Sequence, residues 1–364
     1  MSDEAYILTV ICMKVKELFD FRKIASLSAA VAGIMIAVVF SKECSRGILS
    51  GIMFCVQALV PSLFFFMAVS AFTVKSGAAL IVSRPLGKVT RALFGLPYPS
   101  MAVILLSIIG GYPVGARAAA MMYEDGHLSA EQARKTVYTA VCAGPGFLLN
   151  FVGVALLGSK DAGILLLTAQ LVSLTVTGII IGKVIKCDVV AKRGSSSFNS
   201  PNLLISSVND ASKATFAMCA MVIVCSAAIE VIAAVSPDKT VTDICAALTE
   251  ITTGCGMLCG RYPLALIAFF IGFGGISVHL QIYASLGNLI INKKLFFLFR
   301  IIQGIITSAA TYILLMVFPL EVSVFNSTDS ALTAAKSATL AGSAALILCS
   351  LIFMATINKL TVRR

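Results

Sequence analysis

Residues 109–122 read IGGYPVGARAAAMM, placing Gly110, Gly111, Tyr112, Pro113, Gly115 and Arg117 together inside an apolar stretch. Pro113 removes a backbone donor and obstructs the preceding turn, and paired glycines weaken helical continuity. Backbone groups freed in this way survive at membrane depth only where they are buried in protein or line a wet cavity. Amides at a helix start can hold an anion, and a guanidinium fork suits a carboxylate. The chemistry expected is therefore anion binding at an unwound hairpin tip, with Arg117 as a hook. The plainer alternative is that Arg117 opens the polar stretch 117–135 and snorkels to the interface.

A second stretch has similar ingredients. In GFGGISVHLQ, Gly274 and Gly275 are followed by Ser277, His279 and Gln281. Residues 98–117 align without gaps on 262–281, 164 residues further on, with Tyr-Pro on Tyr-Pro and Gly-Gly on Gly-Gly. Broken apolar segments at matching places in two halves point to the substrate site of a secondary transporter. Asn150 adds a polar contact in AGPGFLLNFVG, though hydrogen bonding between helices explains it equally. Glu250 stands amid Thr249, Thr252 and Thr253, whose hydroxyls suggest a cation- or proton-coupling site. Interhelical packing is the simpler account of any isolated glycine. No nucleophile–base pair, P-loop or metal motif is present, so an enzyme is not expected.

These residues need elements to hold them, and composition says which. Of 364 residues, 59% are hydrophobic and 12% charged, against about 25% charged in soluble domains; mean hydropathy is +0.97. The reading is an all-α polytopic membrane protein, a helical bundle of about eight to ten segments. Apolar runs at 24–40, 47–74, 136–158, 162–186, 211–235, 295–318 and 336–358 are expected spans, while 98–123, 241–258 and 261–290 are interrupted. The net charge of +11 sits in loops and tails, where it sets topology and meets lipid headgroups rather than nucleic acid. Most of the 11 cysteines lie in apolar runs as small hydrophobes, and two histidines make no metal site, so no cofactor is expected.

The organisation expected is a basic segment with a first helix (1–46), a first repeat (47–186), a basic Ser-rich linker (187–206), a second repeat (207–358) and a basic tail (359–364). Lys14, Lys16, Arg22 and Lys23, with the bases of the later loops, put the N-terminus in the cytoplasm. That holds if 98–135 dips in and returns and 236–294 crosses an odd number of times.

GGYPVGAR, EDGHLSAEQARKTVYTAVCAGPGF, LTEITTG and FIGFGGISVHLQ resemble the YlbJ-type sporulation integral membrane proteins. These belong with the wider family carrying the nucleoside-recognition gate domain. The resemblance runs over 47–358 and implies a multi-pass protein of a forespore membrane that moves dipicolinic acid, built with re-entrant hairpins. Two departures are visible: Cys142 and Ala143 stand where the family usually has two asparagines, and Phe65 stands for a proline. Dipicolinate is a planar dianion, and Arg117 on one side with His279 and Gln281 on the other would serve its two carboxylates. The partners expected are a small organic anion and the bilayer, with homo-oligomerisation left open. The alternatives are a nucleoside-like substrate and a non-transporting scaffold for spore assembly. Alternating access is expected to rock one half against the other.

Overall fold

A computed structural model describes residues 21–190, 202–236 and 238–320. The expected span 336–358, the basic N-terminal residues and most of the linker lie outside them. Every regular element among the described residues is helical. The chain opens with α1 (Phe21–Val39) and α2 (Ser41–Phe54), whose apolar parts meet at 92°. The expected spans 24–40 and 47–74 therefore do not stand along one direction. A π-helical stretch, Cys55–Leu59, leads into α3 (Val60–Lys75). Pro61 explains it, because proline cannot bond to the carbonyl four residues back and crowds it, and a wider turn absorbs both defects.

After α3 the chain turns by 83° into two short helices, α4 (Ala78–Ser83) and α5 (Gly87–Phe94). Next come α6 (Pro99–Gly110) and α7 (Tyr112–Glu124), which fold back on each other about Gly111. The backbone there has φ +87°, which glycine alone adopts without strain. Four residues to either side the arms touch: a Cβ on Gly115 would lie 2.6 Å from Ser107 Cβ and 2.5 Å from the Ala140 carbonyl.

A broken helix follows. α8 (Ala130–Thr139) starts on a capping box, the Ser129 hydroxyl accepting from Gln132 N and the Gln132 side chain from Ser129 N. It stops at Thr139, 140–144 runs without helix, and helix resumes at Pro145 into a π-helical stretch over Gly146–Leu156. The expected continuous span 136–158 is thus two half-helices. Pro145 and the flanking Gly144 and Gly146 account for the gap. α9 (Lys160–Val184), capped by Ser159, then crosses unbroken.

The second half repeats that order. α10 (Leu203–Val235) packs along α2 and α3 so closely that a Cβ on Gly47 would reach Ala227 Cα at 2.5 Å. A hairpin of α11 (Lys239–Thr249) and α12 (Ile251–Leu258) follows, Gly254 seated on Ala247. A broken helix, α13 (Leu264–Phe273) and α14 (Gly275–Ser285), comes next, and finally α15 (Lys293–Val317). α9 and α15 are both 25 residues long. Among the described residues four helical runs are long and apolar enough to cross a membrane, α9, α10, the pair Leu264–Ser285 and α15, and up to six if each of the two bent pairs counts as one span.

This order corrects the expected alignment of 98–117 on 262–281. The first segment turns back as a hairpin, whereas Leu264–Ser285 continues as one run of 22 residues through its break. The structural counterparts are hairpin with hairpin, broken helix with broken helix, and α9 with α15. Residues 238–285 hold one hairpin and one apolar run long enough to cross a membrane.

The two hairpins come from opposite ends of the bundle. At one end Lys75 meets Ser206, Arg134 meets Ile290 O and Tyr138 meets Asn292 N. The open arms of the first hairpin lie there too, where Glu124 approaches Gly287. At the other end Arg261 pairs with Asp243 at the base of the second hairpin.

Candidate functional site

Both tips end inside the protein, each against a break. A Cβ on Gly111 would lie 3.2 Å from Gly144 N, in the first broken helix. A Cβ on Gly275, in the second, would lie 3.4 Å from Ile251 N and from Ala247 O at the second tip. Tyr112, the first residue of α7, donates its hydroxyl to Ile271 O at 2.5 Å, linking the first tip to the second broken helix. Four half-helices therefore start at the centre: α7, α12, α14 and the stretch beginning at Gly146. Each helix start carries the positive end of its dipole; at α12 the Thr252 and Thr253 amides are taken by Glu250, and at the Gly146 stretch Gly144 O takes those of Phe147 and Leu148.

The charge at this centre belongs to Arg300 on α15. Its residue is 1% exposed. Nη1 donates to Val141 O at 2.9 Å and to Gln303 Oε1 at 2.6 Å, Nε to Phe273 O at 3.4 Å, and Nη2 to Gly272 O. Gln303 donates in turn to Val141 O at 3.0 Å. The guanidinium thus satisfies carbonyls that both broken helices have freed, and among the described residues it faces no carboxylate in an ion pair. A buried cation surrounded by helix starts makes a centre suited to an anionic group. Ser107 lines the same region, donating to Ala140 O at 3.0 Å, with Cys142 Sγ 3.7 Å away.

The expected site residues divide into several groups. Gly110, Gly111, Tyr112 and Gly115 build the first tip and are buried; Gly274 and Gly275, at φ +90° and +70°, build the second break. His279 is buried one turn beyond, its Nδ1 2.6 Å from Gly275 O and its ring among Phe273, Phe296 and Phe297. Gln281 donates to Ser277 Oγ at 3.1 Å within α14, both buried. Asn150 is exposed on the Gly146–Leu156 stretch, away from the centre.

Two expectations change in kind. Arg117 lies about 9 Å along α7 from the tip, and its guanidinium meets Asp210 at 3.7 Å and Glu124 at 3.9 Å. Asp210 also takes Lys75 at 2.8 Å. Arg117 does bind carboxylates, but they are the chain's own, and the pairing ties the first hairpin to α3 and α10. Glu250 is buried at the second tip, but the threonine hydroxyls do not hold it. Its oxygens accept Thr252 N at 3.0 Å and Thr253 N at 2.7 Å as the N-cap of α12, while the Thr249 hydroxyl bonds Cys245 O.

Sequence reasoning missed Arg300 and Gln303, although both fall in an expected span. An arginine in a membrane helix costs roughly 2.5–3.5 kcal/mol on insertion scales, and LFRIIQG carried that signal. The first half does not match: the eighth and eleventh residues of α15 are Arg300 and Gln303, those of α9 are Leu167 and Gln170. Gln170 is fully buried and neither of its amide atoms finds a partner among the described residues. Beside it Ser173 donates to Gln303 O and receives from Thr307, at 2.9 and 2.8 Å.

Compared with protein-family models, curated proteins and solved structures, the chain finds no match in any of the three. The finding that stands is an all-α, multi-pass membrane protein whose hairpin tips and helix breaks converge on a buried arginine.

Proposed function

We propose that this protein is a secondary transporter for a small organic anion, with dipicolinate as the substrate class. The observation carrying the proposal is the meeting of two opposed hairpin tips and two broken helices about Arg300. Discontinuous helices aim their starts at anionic substrate groups in carriers of this kind. A planar dicarboxylate needs donors on two sides; the starts of α7 and α14 flank Arg300, while that of α12 is held by Glu250. His279, one turn behind the second break, is a reserve donor; Gln281 lies about 9 Å along α14 from Gly275, as far as Arg117 lies from its own tip. Glu250, held between Thr252 N and Thr253 N, is the candidate for coupling transport to an ion. The sequence resemblance supplies the setting, a forespore membrane with the N-terminus cytoplasmic.

The test is uptake of labelled dipicolinate by the full chain in proteoliposomes, with uridine in parallel, and the dipicolinate content of spores from a deletion strain with and without complementation. Dipicolinate uptake above empty vesicles is the expected result. Uptake of uridine alone would reassign the substrate to a nucleoside. No uptake of either, together with normal spore content, would overturn transport and leave a structural role.

A further inference from the structure

A second polar place lies away from the centre, at the basic end of the bundle. A cavity of about 260 Å³ opens between α5 and the last turns of α9. Arg91, Lys183 and Lys186 line it, no acidic residue does, and Gly95 and Gly182 are among its walls. Beneath those glycines is a fourth cation. Lys135 is 1% exposed, and its ammonium donates to Gly95 O at 2.9 Å and Gly182 O at 3.4 Å. None of the four cations is in an ion pair among the described residues.

The surroundings identify what such a cavity would meet. The α4–α5 segment, Ala78–Phe94, lies at 83° to α3, across the direction of the helix that precedes it. Ile81, Val82, Val89 and Leu93 are exposed along it, interleaved with Arg84, Lys88 and Arg91. Apolar side chains and bases alternating on an exposed helix that lies across the bundle are the pattern of a segment resting in the headgroup layer. Clustered bases there attract anionic lipid.

We propose that the cavity between α5 and α9 is a binding site for the headgroup of an anionic phospholipid. The phosphate sits among Arg91, Lys183 and Lys186, over the floor charged by Lys135, and the acyl chains run down beside α5. The site is independent of the central one and holds whether or not the protein transports anything.

The full chain, purified from equimolar phosphatidylglycerol and phosphatidylcholine vesicles into mild detergent, is assayed for the lipid it retains. The wild type should keep phosphatidylglycerol over phosphatidylcholine by roughly tenfold or more, since each nearby base strengthens attraction to anionic lipid. Arg91→Gln/Lys183→Gln/Lys186→Gln should abolish that preference, while Lys160→Gln/Lys239→Gln, at the opposite end, should keep it. If the triple variant does not purify as a folded species, Arg91→Gln alone serves, with a loss of several-fold. Equal retention of the two lipids by the wild type, or an unchanged preference in the Gln variants, would overturn the proposal. Displacement of the bound lipid by inorganic phosphate would assign the site to a soluble anion instead, and would overturn it equally.

Discussion

Replacing Arg300 with methionine is the sharpest perturbation of the centre. It strands Gly272 O, Phe273 O and Gln303 Oε1, while Val141 O keeps the Gln303 amide at 3.0 Å. At about 1–3 kcal/mol per stranded buried group, three such groups cost roughly 3–9 kcal/mol. Against this, a desolvated cation is removed, and its burial costs several kcal/mol. The net change in stability is therefore about −2 to +4 kcal/mol, small enough to expect a folded protein in lipid. The loss to substrate is not offset in this way. A hydrogen bond to a charged group contributes about 1.5–3 kcal/mol, which is roughly 10- to 150-fold in affinity. The assay is concentration-dependent dipicolinate uptake in proteoliposomes, with monodispersity and Tm measured on the same preparations. KM should rise by at least roughly tenfold, or uptake vanish, in a protein that still elutes as a single species. Arg300→Lys should recover little, because three donors on a flexible stem do not reproduce a planar fork. A folded Arg300→Met protein with unchanged KM would refute the view that this guanidinium holds the anion.

The other predictions concern the elements around it. Arg117→Ala breaks two ion pairs at 3.7 and 3.9 Å on a side chain 20% exposed; partly solvated pairs contribute at most about 1 kcal/mol. KM should stay put, and a rise of tenfold would restore Arg117 to the substrate. Gly111→Ala puts a side chain at φ +87°, ψ −169° and against Gly144 N, in a backbone region all but confined to glycine, a strain of about 1–3 kcal/mol before any contact is counted. Uptake should fall sharply, and full activity would show that the tip tolerates movement. Glu250→Gln leaves one acceptor oxygen for two amides, lowering stability by about 1 kcal/mol, as a Tm shift would report. If Glu250 couples an ion, the same variant should also lose gradient-driven accumulation while still equilibrating substrate. Retained accumulation would remove it from coupling.

The long spans were legible because a bilayer imposes about 20 apolar residues on a crossing helix; α9 and α15 fall within two residues of their expected limits, while α10 starts eight residues before its own. The register of the repeat was not. Gly111 turns the chain back and Gly274 passes it onward, yet both need a positive φ, so one residue type served two geometries. Tyr-Pro before each segment marks a helix start, where proline costs nothing, and says nothing of what the helix then does. Arg117 was visible as a charge needing a partner. Its partner Asp210 lies 93 positions further along the chain, and no local pattern joins them. Thr252 and Thr253 stand out in the sequence for their hydroxyls, whereas the contacts come from their amides, which nearly any residue type offers at a helix start. Arg300 was overlooked because a long apolar run absorbed it; one arginine hardly lowers a window average.

The Arg300 side chain also limits how the protein can move. It grips Val141 in the first half and Gly272 with Phe273 in the second. Tyr112 and Ile271 add a second clasp across the same divide. Sliding one half past the other would tear both fastenings out of the buried centre. Carrying both halves' breaks and tips together, as one cargo block beside α2, α3 and α10, would leave them intact. The tie from Arg117 to Asp210 then sits on the seam between block and frame, partly solvated and cheap to undo. At the centre, then, the two halves are riveted together rather than merely placed side by side.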